Sequence, residues 1–293
     1  MEKFCFGMSS CAFRDFDEKH FCELKNAGVK VMELSSDFQE YIDNVDFSDV
    51  KEKADKYGIK LWSLHLPYAP FDKVNIANCD EEKRRYTVDY FKTVIDRGIK
   101  IGIKIYVVHP SAEPYKDEER DEALMCAKKS LKELASYADN FGAVIAVEDL
   151  PRTCLGRDTK EILDLLSADE RLKVCFDTNH LLSDSIKAFI DAVGDRIITT
   201  HFSDFDFKNE RHWLPGEGKI DWCELIDALD KKNYSGPILY EMSLVPPITG
   251  TIERRNLTFD DLSENHNCLI NKKPLKAIGK IVEEKCIFWR DIK

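Results

Sequence analysis

Short apolar runs recur along the chain, each followed by a charged amphipathic stretch. The strand candidates are residues 4–9, 30–35, 59–65, 103–109, 143–149, 172–177, 197–202 and 237–242. They are rich in Val, Ile and Phe and mostly continuous rather than alternating, as expected of parallel strands buried on both faces. The stretches between them have helical character. DEKHFCELKNAG and DFSDVKEKADKYG close on Gly28 and Gly58, suited to the residue after a helix end. Two longer helices end near Gly102 and Gly142, and SDSIKAFIDAVG and DWCELIDALDKKNYSG repeat the pattern. With LKAIGKIVEEKCIFW counted as the last helix, the chain holds eight strand–helix units. That predicts an α/β fold, a (β/α)8 TIM barrel spanning residues 1–293 as a single domain, over an open doubly wound sheet. GMSSCAF, after the first strand, lacks the G-x-G-x-x-G of a dinucleotide-binding half. The long final connection, residues 243–262, carries VPPITGT and is expected to cover the barrel mouth.

Seven of these runs stop at a residue type that binds metals. In order they bring Glu33, His65, His109, Glu148, Asp177 with His180, His201 and Glu241. A carboxylate or imidazole at the end of a buried strand is costly to desolvate unless paired or metal-bound. Singly, each has a plain structural explanation. His65 or His109 could be hydrogen-bonded, Glu33 could pair with Arg14 or a lysine, and Asp177 could cap the next helix. Jointly, such explanations need a separate partner for every group in one crowded ring, whereas one divalent cation serves most of them. In a (β/α)8 barrel this ring is the C-terminal face, where active sites lie. The imidazole and carboxylate set suits Mn, Zn, Co or Mg and excludes a thiolate site. Cys175, two residues before Asp177, reads as core.

Composition narrows the partners. The formal net charge of −11 gives no general attraction to nucleic acid or anionic membrane. No apolar run approaches the roughly 18 residues of a membrane span, and MEKFCFGMSSCAF reads as a first strand, not a signal peptide. Ten scattered cysteines without a Cys-x-x-Cys pair indicate reduced thiols and a cytoplasmic protein.

The ordered motifs HLPY, VVHPS, VEDLP, CFDTNH, THFSD, RHWLPGEGKIDW and LYEMS resemble the xylose isomerase-like barrel superfamily. Its members include sugar and sugar-phosphate isomerases and epimerases, inosose dehydratases, hydroxypyruvate isomerases and endonuclease IV. The isomerase and epimerase branch implies one divalent metal on Glu148, Asp177, His201 and Glu241, with Glu148 and Glu241 also the catalytic acid/base pair. The expected activity is isomerisation or epimerisation of a small sugar, sugar phosphate or polyol by proton transfer through an enediolate. His65, His109, His180, Arg211 and His212 are the expected substrate contacts. The endonuclease IV branch implies three zinc ions, with His65, His109, His180, Glu210 and His212 as additional ligands. Glu210 stands where that branch has aspartate, and the loops after the first two strands lack a basic or aromatic DNA-gripping insertion.

Arg14, Arg152, Trp62 and Trp213 are further candidates for the pocket lining, and Trp222 reads as packing. The leading expectation is a metal-dependent sugar isomerase or epimerase with a small-molecule substrate, without nucleic acid or membrane partners, and with homo-oligomerisation open. An apurinic-site endonuclease, an inosose dehydratase-like lyase and a non-catalytic sugar-binding barrel are the alternatives. The Glu148 and Glu241 pair argues against the last, because binding alone needs no proton-transfer groups.

Overall fold

The computed structural model describes residues 3–282 apart from 14, 36 and 248–250. Eight parallel strands form a nearly closed barrel: β1 (Phe6–Ser9), β2 (Val31–Leu34), β3 (Lys60–His65), β4 (Ile105–Val108), β5 (Val144–Glu148), β6 (Lys173–Asp177), β7 (Ile197–His201) and β8 (Ile238–Tyr240). The strands pair in sequence order from β1 to β7, and β8 returns to β1 through Phe6–Ile238, Gly7–Leu239 and Met8–Tyr240. Between β7 and β8 the ring closes just beyond β7, where the Phe202 N–H donates to the Leu239 carbonyl at 2.8 Å. Gly7 permits the closure. A Cβ there would meet Val31 Cγ2 at 2.9 Å and the Ile238 carbonyl at 3.3 Å.

Helices α1 (Glu18–Asn26), α2 (Gln39–Asn44), α3 (Phe47–Tyr57), α4 (Glu81–Lys100), α5 (Arg120–Asp139), α6 (Thr159–Leu166), α7 (Ile186–Val193), α8 (Trp222–Lys231) and α9 (Phe259–Ile270) lie in the connections between strands and after β8. Asp46, Asp80, Asp158 and Asp221 each accept backbone N–H bonds at a helix start, which fixes where the strand-to-helix loops end. None of these helices is long and apolar enough to cross a membrane.

The C-terminal part departs from the sequence expectation. Among the described residues the last helix is α9, whose sequence FDDLSENHNCLI carries a Thr258–Asp261 capping box. Of residues 275–289, expected to be that helix, residues 275–279 are irregular. Lys280–Ile281 form β10, antiparallel to β9 (Ile252–Glu253), and residues beyond 282 lie outside the described range. Gly279 sits under this two-stranded arm, its N–H donated to Glu217 at 2.7 Å. The expected cover at VPPITGT falls partly on residues 248–250, outside the described residues.

One clasp explains the Pro-Gly-x-Gly-x-Ile-Asp-Trp motif. The buried Asp204, just after β7, accepts the N–H groups of Phe205, Gly216 and Ile220 and the Trp222 indole N–H. Gly218 passes so close that a Cβ would lie 2.2 Å from Asp204 Oδ1. The motif therefore folds the β7–α8 loop back onto its own strand and ends it at the α8 N-cap.

Candidate metal centre

Parallel strands of matched register end at one level, so their last side chains converge. Asp177 lies opposite His201 in the β6–β7 ladder, and Glu148 lies opposite Cys175 in β5–β6. Glu148, Asp177, His201 and Glu241 each offer a donor atom within 4.8 Å of the others. The first three are buried, and the Glu241 side chain keeps 14% of its surface exposed.

His201 lies at the centre. Its Nδ1 is 2.8 Å from Glu148 Oε1, 3.3 Å from Glu241 Oε2 and 3.9 Å from Asp177 Oδ2. Its Nε2 is 3.0 Å from Glu33 Oε1. Burial opposes the charged imidazolium, but Cys175 and the surrounding carboxylates outweigh it, and the pKa of His201 rises well above the ordinary value. Burial likewise disfavours an ionised Glu148, yet His201 and His109 hold its carboxyl well below the usual range. Glu241 differs. Burial, against a partial offset from His201 and with added repulsion from Glu148 and Asp177, pushes it up to about 7.

Two further donor groups flank this centre. Glu148 Oε2 is 2.9 Å from His65 Nε2 and 3.2 Å from His109 Nε2, so one carboxylate is shared by two groups. His109 stacks on Tyr68 at 4.4 Å between ring centres. On the other side, His180, Glu210 and His212 bring donors together, with Glu210 Oε1 2.8 Å from His212 Nε2 and 3.9 Å from His180 Nε2. Burial works against charge at His65 and His212, but Glu148 and Glu210 respectively raise each to about 9.

The donor set fits a cation on two observations. Among the described residues, Asp177 Oδ2 is buried with no hydrogen-bond partner, although it faces His201 and His180. A buried carboxylate oxygen left unpaired is expensive unless something else binds it. In addition, three histidines have their outer ring nitrogen tied down. His65 Nδ1 bonds the Leu66 carbonyl at 2.8 Å, His180 Nδ1 bonds the Asp149 carbonyl at 2.8 Å, and His201 Nε2 bonds Glu33. That is how metal-ligating histidines are normally oriented.

The other sequence candidates divide. The Arg211 guanidinium, expected at the substrate, pairs with Asp206 at 3.0 Å and stacks over Trp213. Trp213 is wholly buried, and Trp62 turns its indole N–H to Thr199 at 3.2 Å inside the barrel rather than towards the metal-ligand cluster. Arg152 bridges Glu113 and Glu210 at the rim. Arg14 lies outside the described residues. Cys175 is buried with Val107 and Ala146, and its Sγ is 3.6 Å from both His201 nitrogens.

The sequence reading gave no role to Asn179 or Asp149. Asn179 Oδ1 accepts the N–H groups of Arg211 and His212, holding His212 in a left-handed conformation with φ 51°. Asp149 Oδ1 accepts the Asp177 N–H at 2.8 Å. Asn179 sits inside CFDTNH, and Asp149 inside VEDLP. Their place in those two motifs was the available signal, but their partners lie 32 and 28 residues away.

Comparison with known proteins agrees with this architecture. The family model described as xylose isomerase-like TIM barrel matches residues 21–258. The uncharacterized protein MJ1614 of Methanocaldococcus jannaschii is 27% identical over 264 residues, covering 88% of this chain and 98% of that protein. A probable endonuclease 4 of Thermoplasma acidophilum is 27% identical over 189 residues, covering 58% of this chain and 63% of the relative. Among solved structures, D-allulose 3-epimerase from Methylomonas sp., in complex with D-allulose, superposes with a TM-score of 0.74 at 19% identity, covering 93% of this chain and 98% of the other. The chain belongs to the xylose isomerase-like TIM barrel family.

Proposed function

We propose that this barrel is a divalent-metal-dependent isomerase or epimerase of a small sugar, sugar phosphate or polyol. The observation that carries the reading is the convergence of Glu148, Asp177, His201 and Glu241 on one point, with Asp177 Oδ2 left unpaired there. These four residues would hold one Mn, Zn, Co or Mg ion. When bound, the ion would polarise a carbonyl and an adjacent hydroxyl of the substrate and acidify the C–H bond between them.

The chain's own residues supply the proton transfers. Glu148 and Glu241 end β5 and lie just beyond β8, on different arcs of the ring, so a substrate between them meets one carboxylate on each face. One removes the proton and the other returns one. Return to the neighbouring carbon isomerises the substrate, and return to the opposite face of the same carbon epimerises it. A bound cation would hold both Glu148 and Glu241 ionised at neutral pH, and each could then act as a base because the same ion acidifies the C–H bond. The rim residues His180, His212 and Tyr68 would contact the rest of the substrate. The likeness to a D-allulose 3-epimerase that binds D-allulose supports a sugar as the substrate class. A panel of ketoses, their phosphates and inososes incubated in heavy water tests the reading. Deuterium at the α-carbon of a turned-over sugar is the expected result, and turnover with internal hydrogen transfer and no solvent exchange would sink the two-glutamate scheme.

A second reading has its own support. The groups His65–His109–Glu148 and His180–Glu210–His212 could each hold a further zinc ion beside the shared Glu148. A three-zinc centre suits phosphodiester hydrolysis, as at an abasic site in DNA. Incision of an abasic duplex at low salt that vanishes in Glu148→Gln would put this reading first. The net charge of −11 favours the sugar substrate.

A further inference from the structure

Glu33 is the strand-end carboxylate that neither reading of the metal centre employs. It lies on β2, fully buried, on the far side of His201 from Glu148. Oε1 takes the His201 Nε2–H at 3.0 Å and Oε2 takes the Ser63 hydroxyl at 2.7 Å. Both oxygens are therefore committed to fixed donors.

The backbone is arranged for this contact. In the β2–β3 ladder the register slips after Met32, which pairs with Leu61, so that Glu33 pairs with Ser63 and Trp62 is passed over. Such an irregularity re-aims side chains. Here it sets the Ser63 hydroxyl opposite Glu33. Cys175 Sγ is 3.6 Å from each His201 nitrogen, farther than the carboxylate contacts of 2.8 Å to Glu148 and 3.0 Å to Glu33. A neutral imidazole has one N–H, and which nitrogen keeps it decides which can ligate. With Nε2–H held by Glu33, the lone pair available for a cation is on Nδ1, the nitrogen facing Glu148, Asp177 and Glu241.

We propose that Glu33 is a positioning residue of the metal centre, fixing the ring plane and tautomer of His201 through Nε2–H, with Ser63 fixing Glu33 in turn. This rests on the reading of Glu148, Asp177, His201 and Glu241 as a cation site. A group placed this way raises ligand basicity and prevents the ring from rotating out of the site.

The test uses the full chain as wild type, Glu33→Ala and Glu33→Gln, with Zn²⁺ alone as the probe. Zn²⁺ affinity is measured by competition with a chelator, and the ring nitrogens are followed by NMR with ¹⁵N-labelled histidine, His201 being assigned from His201→Ala. In the Zn²⁺-loaded wild type, Nδ1 of His201 should be metal-shifted and Nε2 should carry a slowly exchanging proton. Glu33→Ala should weaken Zn²⁺ binding by about 10- to 100-fold, the usual cost of losing such a partner, and should lose the protected Nε2 proton. Glu33→Gln keeps an acceptor for Nε2–H and should restore that proton and part of the affinity. A merely structural role would lower the unfolding temperature without moving the His201 resonances. Zn²⁺ affinity of Glu33→Ala within about threefold of wild type, or an unchanged Nε2 proton, would overturn the proposal and leave the metal reading standing. Absence of Zn²⁺ binding by the wild type would overturn both.

Discussion

Glu148 Oε1 and His201 Nδ1 lie 2.8 Å apart at the centre of the barrel mouth, although 53 residues separate them in the chain. The other oxygen of the same carboxylate contacts His65 and His109. Glu148 is thus the one residue common to two of the three groups described above. Glu148→Gln should reduce solvent exchange of the substrate α-proton by at least about 100-fold, the lower range for a lost acid/base group. It should also weaken metal binding at both groups, while circular dichroism stays that of a folded barrel. Exchange rates within tenfold of wild type would remove Glu148 from the proton transfer.

Metal binding should strengthen as pH rises. Glu241 is pushed up to about 7 and the His201 pKa is raised in the metal-free protein, so below neutrality a cation must displace protons from both. Apparent affinity should climb about tenfold per pH unit for each proton displaced, between pH 6 and 7 for Glu241 and further for His201. Titrations with Mn²⁺ or Zn²⁺ at pH 6, 7 and 8 read this directly, and a flat profile would contradict the ligand assignment. Glu241→Gln should bind more weakly with a shallower slope.

Removal of the Asp204 side chain should loosen the β7–α8 loop. Asp204→Ala leaves the N–H groups of Phe205, Gly216, Ile220 and Trp222 without their acceptor. With buried unpaired donors costing about 1–3 kcal/mol each, a loss of at least about 3 kcal/mol in denaturant unfolding is expected. Gly218→Ala should be comparably harmful, since its Cβ would overlap Asp204.

His266 should make the fold acid-sensitive. It is buried on α9, stacked on Phe6 at 4.8 Å, and burial, against a small opposing effect of the Phe4 backbone, lowers its pKa to about 4. The unfolded chain binds a proton at this group below about 6.5 and the folded chain does not until about pH 4. Stability is therefore fully present above 6.5 and falls as pH drops through that window, by about 2 kcal/mol between pH 6.5 and 5. His266→Phe should show a shallower acid limb than wild type in thermal unfolding. Parallel limbs would show that His266 is not the cause.

The chain itself determined the order of elements and the level of the site. Continuous apolar runs ending in Glu148, Asp177, His201 and Glu241 are legible because a buried parallel strand has no polar positions until it emerges. The ends of two helices were legible for a local reason as well, because Gly28 and Gly58 supply the left-handed residue that follows a helix. The described part of the helix expected at 275–289 was not. Residues 275–281 carry apolar spacing that suits a helix, but the pairing of β10 with β9 sets their course instead. Nor could the sequence say which strand-end groups touch. Glu33 and His201 are 168 residues apart, and their contact depends on the tilt and stagger of a closed ring, to which each strand contributes only its share. The irregular β2–β3 register, the sharing of Glu148 and the unpaired Asp177 oxygen are likewise products of closure. Local periodicity fixes which face of a strand a residue occupies, and only the assembled barrel fixes what stands opposite it.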